Sequence, residues 1–90
     1  MKEEYVVTHL PERQLFVTEV DGEQGFVEYR IVDGNLDITH TIVPMAIEGR
    51  GVAAALVKEA YDYARNNGLT PRATCSYAVM WLRRHPEYVS

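Results

Sequence analysis

Between His40 and Ala54 the sequence reads HTIVPMAIEGRGVAA, and within this stretch the pattern of apolar residues changes its period. Before Pro44 apolar and polar side chains alternate, as they do in a strand with one buried face. After the glycines, apolar side chains recur every three to four residues, as on one face of a helix. The stretch therefore predicts a strand, a loop and a helix that begins at Gly49.

Upstream of this stretch, the alternating pattern predicts four strands joined by short turns, with an antiparallel meander as the simplest arrangement. Asp33-Gly34-Asn35 is a strong hairpin signal, because Asp-Gly pairs favour two-residue turns. In the last strand, His40 is expected on the same face as Ile38 and Ile42. The predicted strands are Tyr5–His9, Leu15–Val20, Phe26–Val32 and Leu36–Val43.

Downstream, the helix is expected to cover about 18 residues, or roughly 27 Å, and to stop at Gly68. A short strand at Arg72–Cys75 follows. Ser76 is then expected to cap a second helix that runs from Tyr77 to about Arg84. This order predicts an α+β fold with a mixed sheet, in which an antiparallel β-meander is followed by a long helix, a further strand and a short C-terminal helix.

Composition limits the possible functions. The chain has 90 residues, 47% hydrophobic and 24% charged, which is ordinary for a globular fold, so we expect one domain over 1–90 and a monomer or weak dimer. The net charge is −4 and the basic residues are scattered, which argues against nucleic acid as a partner. No apolar run approaches a membrane span, and the start, Met1–Glu4, precedes no apolar block. Cys75 is the only cysteine, so we expect a reducing, cytoplasmic location.

The predicted helix start, Gly49-Arg50-Gly51, has no side chain that is well placed to cap it. The first N–H groups of a helix have no internal partner, and the helix dipole makes that end positive. A phosphate would satisfy these groups, and Arg50 could add charge. Water or a glycine cap would also satisfy them, so the pattern alone leaves both interpretations open.

Two familiar phosphate-binding motifs do not explain this turn. The P-loop string, with Gly-Lys followed by Ser or Thr, is absent from the sequence. Gly49, Gly51 and Ala54 formally match the dinucleotide fingerprint. That fingerprint belongs in a parallel strand–helix–strand unit with an acid after the second strand, and this context is missing.

The segments His40–Pro44 and Gly49–Ala53 together resemble the strand, loop and helix of the GNAT N-acetyltransferase superfamily. The segment Thr74–Tyr77, with Trp81 and Arg84–Tyr88, is similar to the small single-domain branch of that superfamily. This resemblance covers more than half of the chain. It implies a GNAT fold, acetyl-coenzyme A as co-substrate, and transfer of the acetyl group to a primary amine, either a small molecule or a protein lysine.

The resemblance also implies where the cofactor lies. The strand that ends at Val43 and the strand that ends at Cys75 would splay apart, and the pantetheine arm would lie between them. The phosphates would lie at the helix start. The implied cofactor-binding residues are Ile42, Val43, Gly49, Arg50, Gly51, Val52, Ala53 and Ala54.

The sequence departs from the superfamily at two positions. Ala46 falls where the signature has Gln or Arg, so a phosphate contact is missing or replaced by Arg50. Ile42 falls where an acid often follows His-Thr, so the strand offers no carboxylate base. The helices that shape the acceptor site in larger members are also absent, which leaves the amine undefined.

Cys75 and His40 are the candidate catalytic residues. A thiol just before a helix has a lowered pKa, so Cys75 can act as an acyl-accepting nucleophile or as a proton donor to the leaving thiolate. Alternatively, it is a small buried hydrophobe. A histidine titrates near neutral pH, so His40 can serve as a general base or can be a half-buried packing residue. The resemblance favours direct attack by the amine in a ternary complex.

Other side chains are expected to be structural. Tyr77 and Trp81, four residues apart, are expected to pack against the sheet. Tyr88 either closes over the cofactor or pins the C-terminus. The three histidines lack ligand spacing, so no metal is expected. A non-catalytic module that binds or senses acyl-coenzyme A is the alternative to an enzyme, and a plain interaction domain is a third possibility.

Overall fold

The computed structural model describes residues 4–89, which form one five-stranded sheet and two α-helices. The α+β fold predicted from the sequence is confirmed. The strands are β1 (Thr8–Leu10), β2 (Leu15–Val20), β3 (Glu23–Val32), β4 (Asn35–Ile42) and β5 (Thr70–Ala73). The helices are α1 (Val52–Asn66) and α2 (Ser76–Arg84). No helix within residues 4–89 is both long and apolar enough to span a bilayer.

The sheet keeps its strands in chain order. Strands β1 to β4 pair antiparallel, which confirms the predicted meander, and β5 pairs parallel to β4 after the α1 crossover. Both residues of the turns Asp21-Gly22 and Asp33-Gly34 have positive φ, between 51° and 78°. Such two-residue turns match the twist of the strands that they join, which explains why these hairpins form.

Helix α1 packs across one face of the sheet, and the core lies between them. The helical period places Leu56, Ala60 and Ala64 on this side, all fully buried. From the sheet, Leu36 and Ile38 of β4 meet them and are equally buried. The other side of the sheet, here called the open face, carries side chains that stay exposed or half-buried: Val17, Glu19, Phe26, Glu28, Arg30, His40 and Ile42.

The elements after β4 begin at positions different from those predicted. Helix α1 has 15 residues, starting at Val52, because Gly49 and Gly51 have φ of 79° and 82° and therefore form a turn. It is about 22 Å long rather than 27 Å. Strand β5 begins two residues earlier than expected, since the chain turns sharply at Gly68 (φ 71°). The N-cap of α2 is Cys75, with Ser76 already helical.

A β-bulge in β4 reverses the faces of this strand halfway along it. Tyr29 lies opposite Ile38, but Glu28 lies opposite His40, so Thr39 is the extra residue. Before the bulge, Ile38 faces α1. After it, His40 lies on the open face, and its side chain is 66% exposed. The expectation that His40 shares a face with Ile38 is wrong because simple alternation takes no account of the bulge. Of the two alternatives for His40, a half-buried packing residue does not fit this exposure.

Candidate active site

The parallel strands β4 and β5 separate after a short ladder. Their pairing ends where Ile38 meets Ala73. The N–H groups of Thr74 and Cys75 then both donate to the carbonyl of Ile38, at 3.0 and 3.1 Å. Strand β4 continues to Ile42 without β5 beside it. The two strands therefore splay apart as expected, and the last residues of β4 have backbone groups free of β5.

A cleft of about 550 Å³ opens beside this split. Its walls are the end of β4, the loop that follows it, the first turn of α1 and the side chain of Tyr77. Seven of the eight cofactor-binding residues expected from the sequence line it: Ile42, Val43, Gly49, Gly51, Val52, Ala53 and Ala54. The structure thus brings the strand end and the glycine turn together at one site.

A second, larger cleft of about 1340 Å³ continues from the first. The two share Gly49, Gly51, Ala54 and Tyr77, so they form one groove that passes the start of α1. The eighth expected residue, Arg50, lines this second part. This part of the groove is also bordered by the basic side chains of Lys58 and Arg84, by His85, and by the acidic side chains of Glu4 and Glu59.

The start of α1 offers backbone donors to this groove. Its N-cap, Gly51, has a left-handed backbone, and no side chain caps the helix. The first intrahelical bond runs from the N–H of Ala55 to the carbonyl of Gly51, at 3.0 Å. The N–H groups of Val52, Ala53 and Ala54 precede it, so they have no partner within the helix. A Cβ added at Gly51 would meet nothing within 4 Å, so the approach to these groups is open.

Arg50 contributes less net charge to the groove than the sequence suggested. Its guanidinium lies 2.7 Å from the carboxylate of Asp21, in the turn between β2 and β3. Its backbone carbonyl accepts a hydrogen bond from the hydroxyl of Tyr5. These contacts join the glycine turn to the segment before β1 and to the turn between β2 and β3, and Asp21 compensates part of the positive charge.

Cys75 is half-buried and lines neither cleft itself, but it is next to residues that do. Its Sγ lies 3.4 Å from Oγ1 of Thr41, a residue that lines the cleft. Burial raises the pKa of the Cys75 thiol, but the Thr41 hydroxyl and the N–H groups of Ala78 and Tyr77 outweigh burial and lower it. No side-chain cap is formed at this helix start, so the N–H groups act as nearby dipoles. The thiol therefore has polar partners although it also packs against the hydrophobic core, and its reactivity stays a prediction.

Tyr77 and Trp81 lie on one face of α2 but in different surroundings. Trp81 is 6% exposed, stacks on His85 at 3.9 Å and tilts against Tyr61 of α1, as expected of a packing residue. Tyr77 is 40% exposed and lines both clefts, so the expectation that it packs against the sheet is wrong. It belongs to the first turn of α2, where the helix borders the split. The sequence signal that could have placed Tyr77 at the groove is its position two residues after Cys75.

On the open face, His40 forms a pair that sequence reasoning missed. Its Nδ1 lies 2.9 Å from Oε1 of Glu28. The sequence has Ile42 where an acid often follows His-Thr, whereas the structure supplies a carboxylate beside His40 from β3. Alternation places Glu28 on the open face, but only the bulge places His40 beside it. His40 lines neither cleft, since it projects from the other side of the strand.

The C-terminal segment is anchored to α1. The hydroxyl of Tyr88 donates to Asp62 at 2.6 Å, and the guanidinium of Arg65 lies 4.6 Å from the centre of its ring. The ring also meets Trp81 edge-on at 4.9 Å. Tyr88 therefore pins the C-terminus and does not line the groove. Within residues 4–89, no group of three or more His, Cys, Asp or Glu side chains is gathered as a metal would require.

Comparison with known proteins identifies the family. The sequence model described as GCN5-related N-acetyl-transferase matches residues 15–90. Protein NATD1 of Gallus gallus is 31% identical over 83 residues, covering 89% of this chain and 76% of that protein. Protein NATD1 of Danio rerio is 31% identical over 88 residues, covering 92% and 80%. A GCN5-like protein of Staphylococcus aureus, solved by NMR, superposes with a TM-score of 0.73 at 29% identity, covering 92% and 82%. The chain therefore belongs to the GCN5-related N-acetyltransferase family.

Proposed function

We propose that this N-acetyltransferase domain moves the acetyl group of acetyl-coenzyme A to a primary amine, by direct attack in a ternary complex. The acceptor is a small amine or a protein lysine. One observation carries the proposal: the uncapped start of α1, with its open glycine turn, lies in the same groove as the unpaired end of β4. Family membership supports this use of the groove.

The residues of the groove fit the parts of coenzyme A. The N–H groups of Val52, Ala53 and Ala54 suit a pyrophosphate, which is strongly attracted by the positive end of a helix. The backbone of Ile42 and Val43 suits the amides of pantetheine, which would pair with β4 as an added strand does. Arg84 borders the larger cleft, where it would compensate further phosphate charge. Lys58 borders it too, but its ammonium is paired with Asp62 at 2.8 Å and adds less.

Cys75 would act at the thioester end. With a lowered pKa and a hydrogen bond to Thr41, it can give a proton to the departing thiolate or position the thioester. The same lowered pKa favours a second route, in which the thiolate attacks the thioester and an acetyl-cysteine forms. The family resemblance supports direct attack.

Turnover tests the proposal directly. In the presence of acetyl-coenzyme A and a panel of polyamines, arylamines and lysine peptides, we expect thiol release that depends on at least one amine. Thermal shift with coenzyme A provides the matching binding measurement. Binding without turnover on any amine would instead identify a module that senses acyl-coenzyme A. If coenzyme A did not bind and no amine were acetylated, the remaining interpretation would be an interaction domain.

Cys75 gives a single-site probe, since the chain has no other cysteine. We expect its alkylation to reach half of its maximal rate at a lower pH than that of an unstructured cysteine peptide, because its pKa is lowered. Coenzyme A should protect the thiol. Cys75→Ala should slow turnover while coenzyme A affinity changes by no more than a few-fold.

Intact-mass measurement separates the two routes. Direct attack predicts no acetylated protein when acetyl-coenzyme A is supplied without amine. A kinetically competent acetyl-Cys75 would contradict direct attack but keep the site. A thiol that is neither reactive nor protected would remove Cys75 from the site altogether.

A further inference from the structure

We propose that Glu28 is a positioning residue for the acceptor side of the reaction, holding His40 as the base that takes a proton from the incoming amine. The inference rests on the proposed function and extends it to the open face of the sheet. Its starting observation is the 2.9 Å contact between Nδ1 of His40 and Oε1 of Glu28.

The bulge in β4 builds this pair. Because Thr39 is the extra residue, His40 moves to the open face and lies directly across from Glu28. Side chains of directly opposed residues project from the same face and reach each other. The hydroxyl of Thr39 donates to the backbone carbonyl of Glu28 at 3.1 Å and lies 3.5 Å from Oε1 of its carboxylate. The bulged residue therefore also fixes the strand that carries the carboxylate.

The contact sets the tautomer of His40. An ionised carboxylate only accepts hydrogen bonds, so the hydrogen between the two groups belongs to Nδ1 of the imidazole. The lone pair is then on Nε2, the nitrogen turned away from Glu28. When Nε2 takes a proton, the imidazolium formed is paired with the carboxylate of Glu28. The side chain of His40 is 66% exposed, so an amine can reach it.

The neighbouring residue places the thioester site on the other side of the strand. Thr41 lies across from the fully buried Val27, lines the first cleft and contacts Cys75. Successive residues of a strand project to opposite faces and are about 3.3 Å apart. A carbonyl lying in the split would therefore have Thr41 and Cys75 on one side and His40 on the other. The amine would approach from the open face without crossing the cofactor groove.

The proton and electron balance is complete with the two substrates. The acceptor, as an ammonium ion, gives one proton to Nε2 of His40, which later releases it to solvent. The freed lone pair on nitrogen forms the bond to the thioester carbon, and the carbon–sulfur bond breaks with its electron pair on sulfur. After the new bond has formed, the nitrogen loses a second proton. This proton balances the one that the leaving thiolate receives. The products are the amide, coenzyme A with a free thiol, and one proton.

A double-mutant cycle tests the pair. Glu28→Gln keeps the size of the side chain and removes its charge, and we expect kcat to fall about tenfold. This loss is a part of the rate acceleration of about 10²–10⁴-fold that a general base supplies. The KM for acetyl-coenzyme A should not change. In a His40→Gln background, Glu28→Gln should cause no further loss, because Glu28 acts only through His40. Glu19→Gln is the matched control, as it removes the same charge from the open face on β2.

A second measurement reads the pair without turnover. Long-range nitrogen–proton NMR spectra should show the hydrogen of neutral His40 on Nδ1, and Glu28→Gln should shift the population toward the other tautomer. Three results would overturn this inference and leave the proposed function intact. They are independent, additive losses in the cycle, an unchanged kcat in Glu28→Gln, and the hydrogen of neutral His40 on Nε2. A wild-type protein that acetylates no amine would overturn the proposed function and this inference with it.

Discussion

Gly51→Glu is expected to lower the affinity for coenzyme A by about 100-fold or more, the equivalent of about 2.7 kcal/mol. Gly51 precedes the three free N–H groups of α1, and a Cβ there projects into open space beside them. A glutamate would place a negative charge where the pyrophosphate must approach, and its carboxylate would itself occupy the positive helix end. Isothermal titration calorimetry with coenzyme A measures the effect.

The control must carry the same backbone strain. Gly51 has φ of 82°, a conformation that side chains other than glycine adopt only at a cost of about 1–2 kcal/mol. Gly34, in the turn between β3 and β4, has φ of 78° and equally open space around a Cβ. Gly34→Glu should therefore destabilise the fold by a similar amount while coenzyme A affinity stays near that of the wild type. Equal affinities of the two folded variants would take the glycine turn out of the site.

Trp81→Ala is expected to reduce the free energy of unfolding by about 3–5 kcal/mol. The indole is 6% exposed and is enclosed by Tyr61, His85 and Tyr88. A domain of this kind is stable by only about 5–15 kcal/mol in total, so the variant should be partly unfolded near 37 °C. Urea unfolding followed by circular dichroism measures the loss.

The same change should disturb the site, because Trp81 holds the helix that begins beside Cys75. Trp81→Phe keeps a ring and should recover most of the stability and turnover. Met80→Ala is the matched control on the same helix, since this neighbouring side chain is 45% exposed and should cost little. A Trp81→Ala variant as stable as Met80→Ala would show that α2 is held by other contacts.

The sequence predicted the order of elements well because each one carries a local signal. The alternation in β3, the Asp33-Gly34 turn and the helical period after Val52 are all properties of neighbouring residues. The glycine turn was recognised for the same reason, although its residues form the approach to α1 rather than its first turn. Here positive φ at Gly49 and Gly51 excludes helix, and glycine identity alone does not reveal whether φ is positive.

What the sequence did not predict depends on pairing between distant segments. The bulge at Thr39 is set by how β4 aligns with β3, and an unbroken alternation gives no sign of an extra residue. The partnership of His40 with Glu28 follows from that alignment and was missed with it. The contact between Arg50 and Asp21 joins two separate turns, so the partial compensation of the Arg50 charge could not be foreseen. Its effect on coenzyme A binding stays a prediction.

The parallel pairing of β4 with β5 has a consequence for the order in which the molecule assembles. The meander forms through hairpins between neighbours in the chain, whereas β5 pairs only after α1 has closed a long loop, from Asn35 to Thr70. Closing a loop of this length costs more conformational entropy than closing a hairpin, so we expect it to happen later in folding. Cys75 and α2 follow β5 directly, so the thiol side of the groove is completed last. Because the ladder between β4 and β5 is short, we expect this half of the sheet to open transiently before the meander does, which hydrogen exchange would measure.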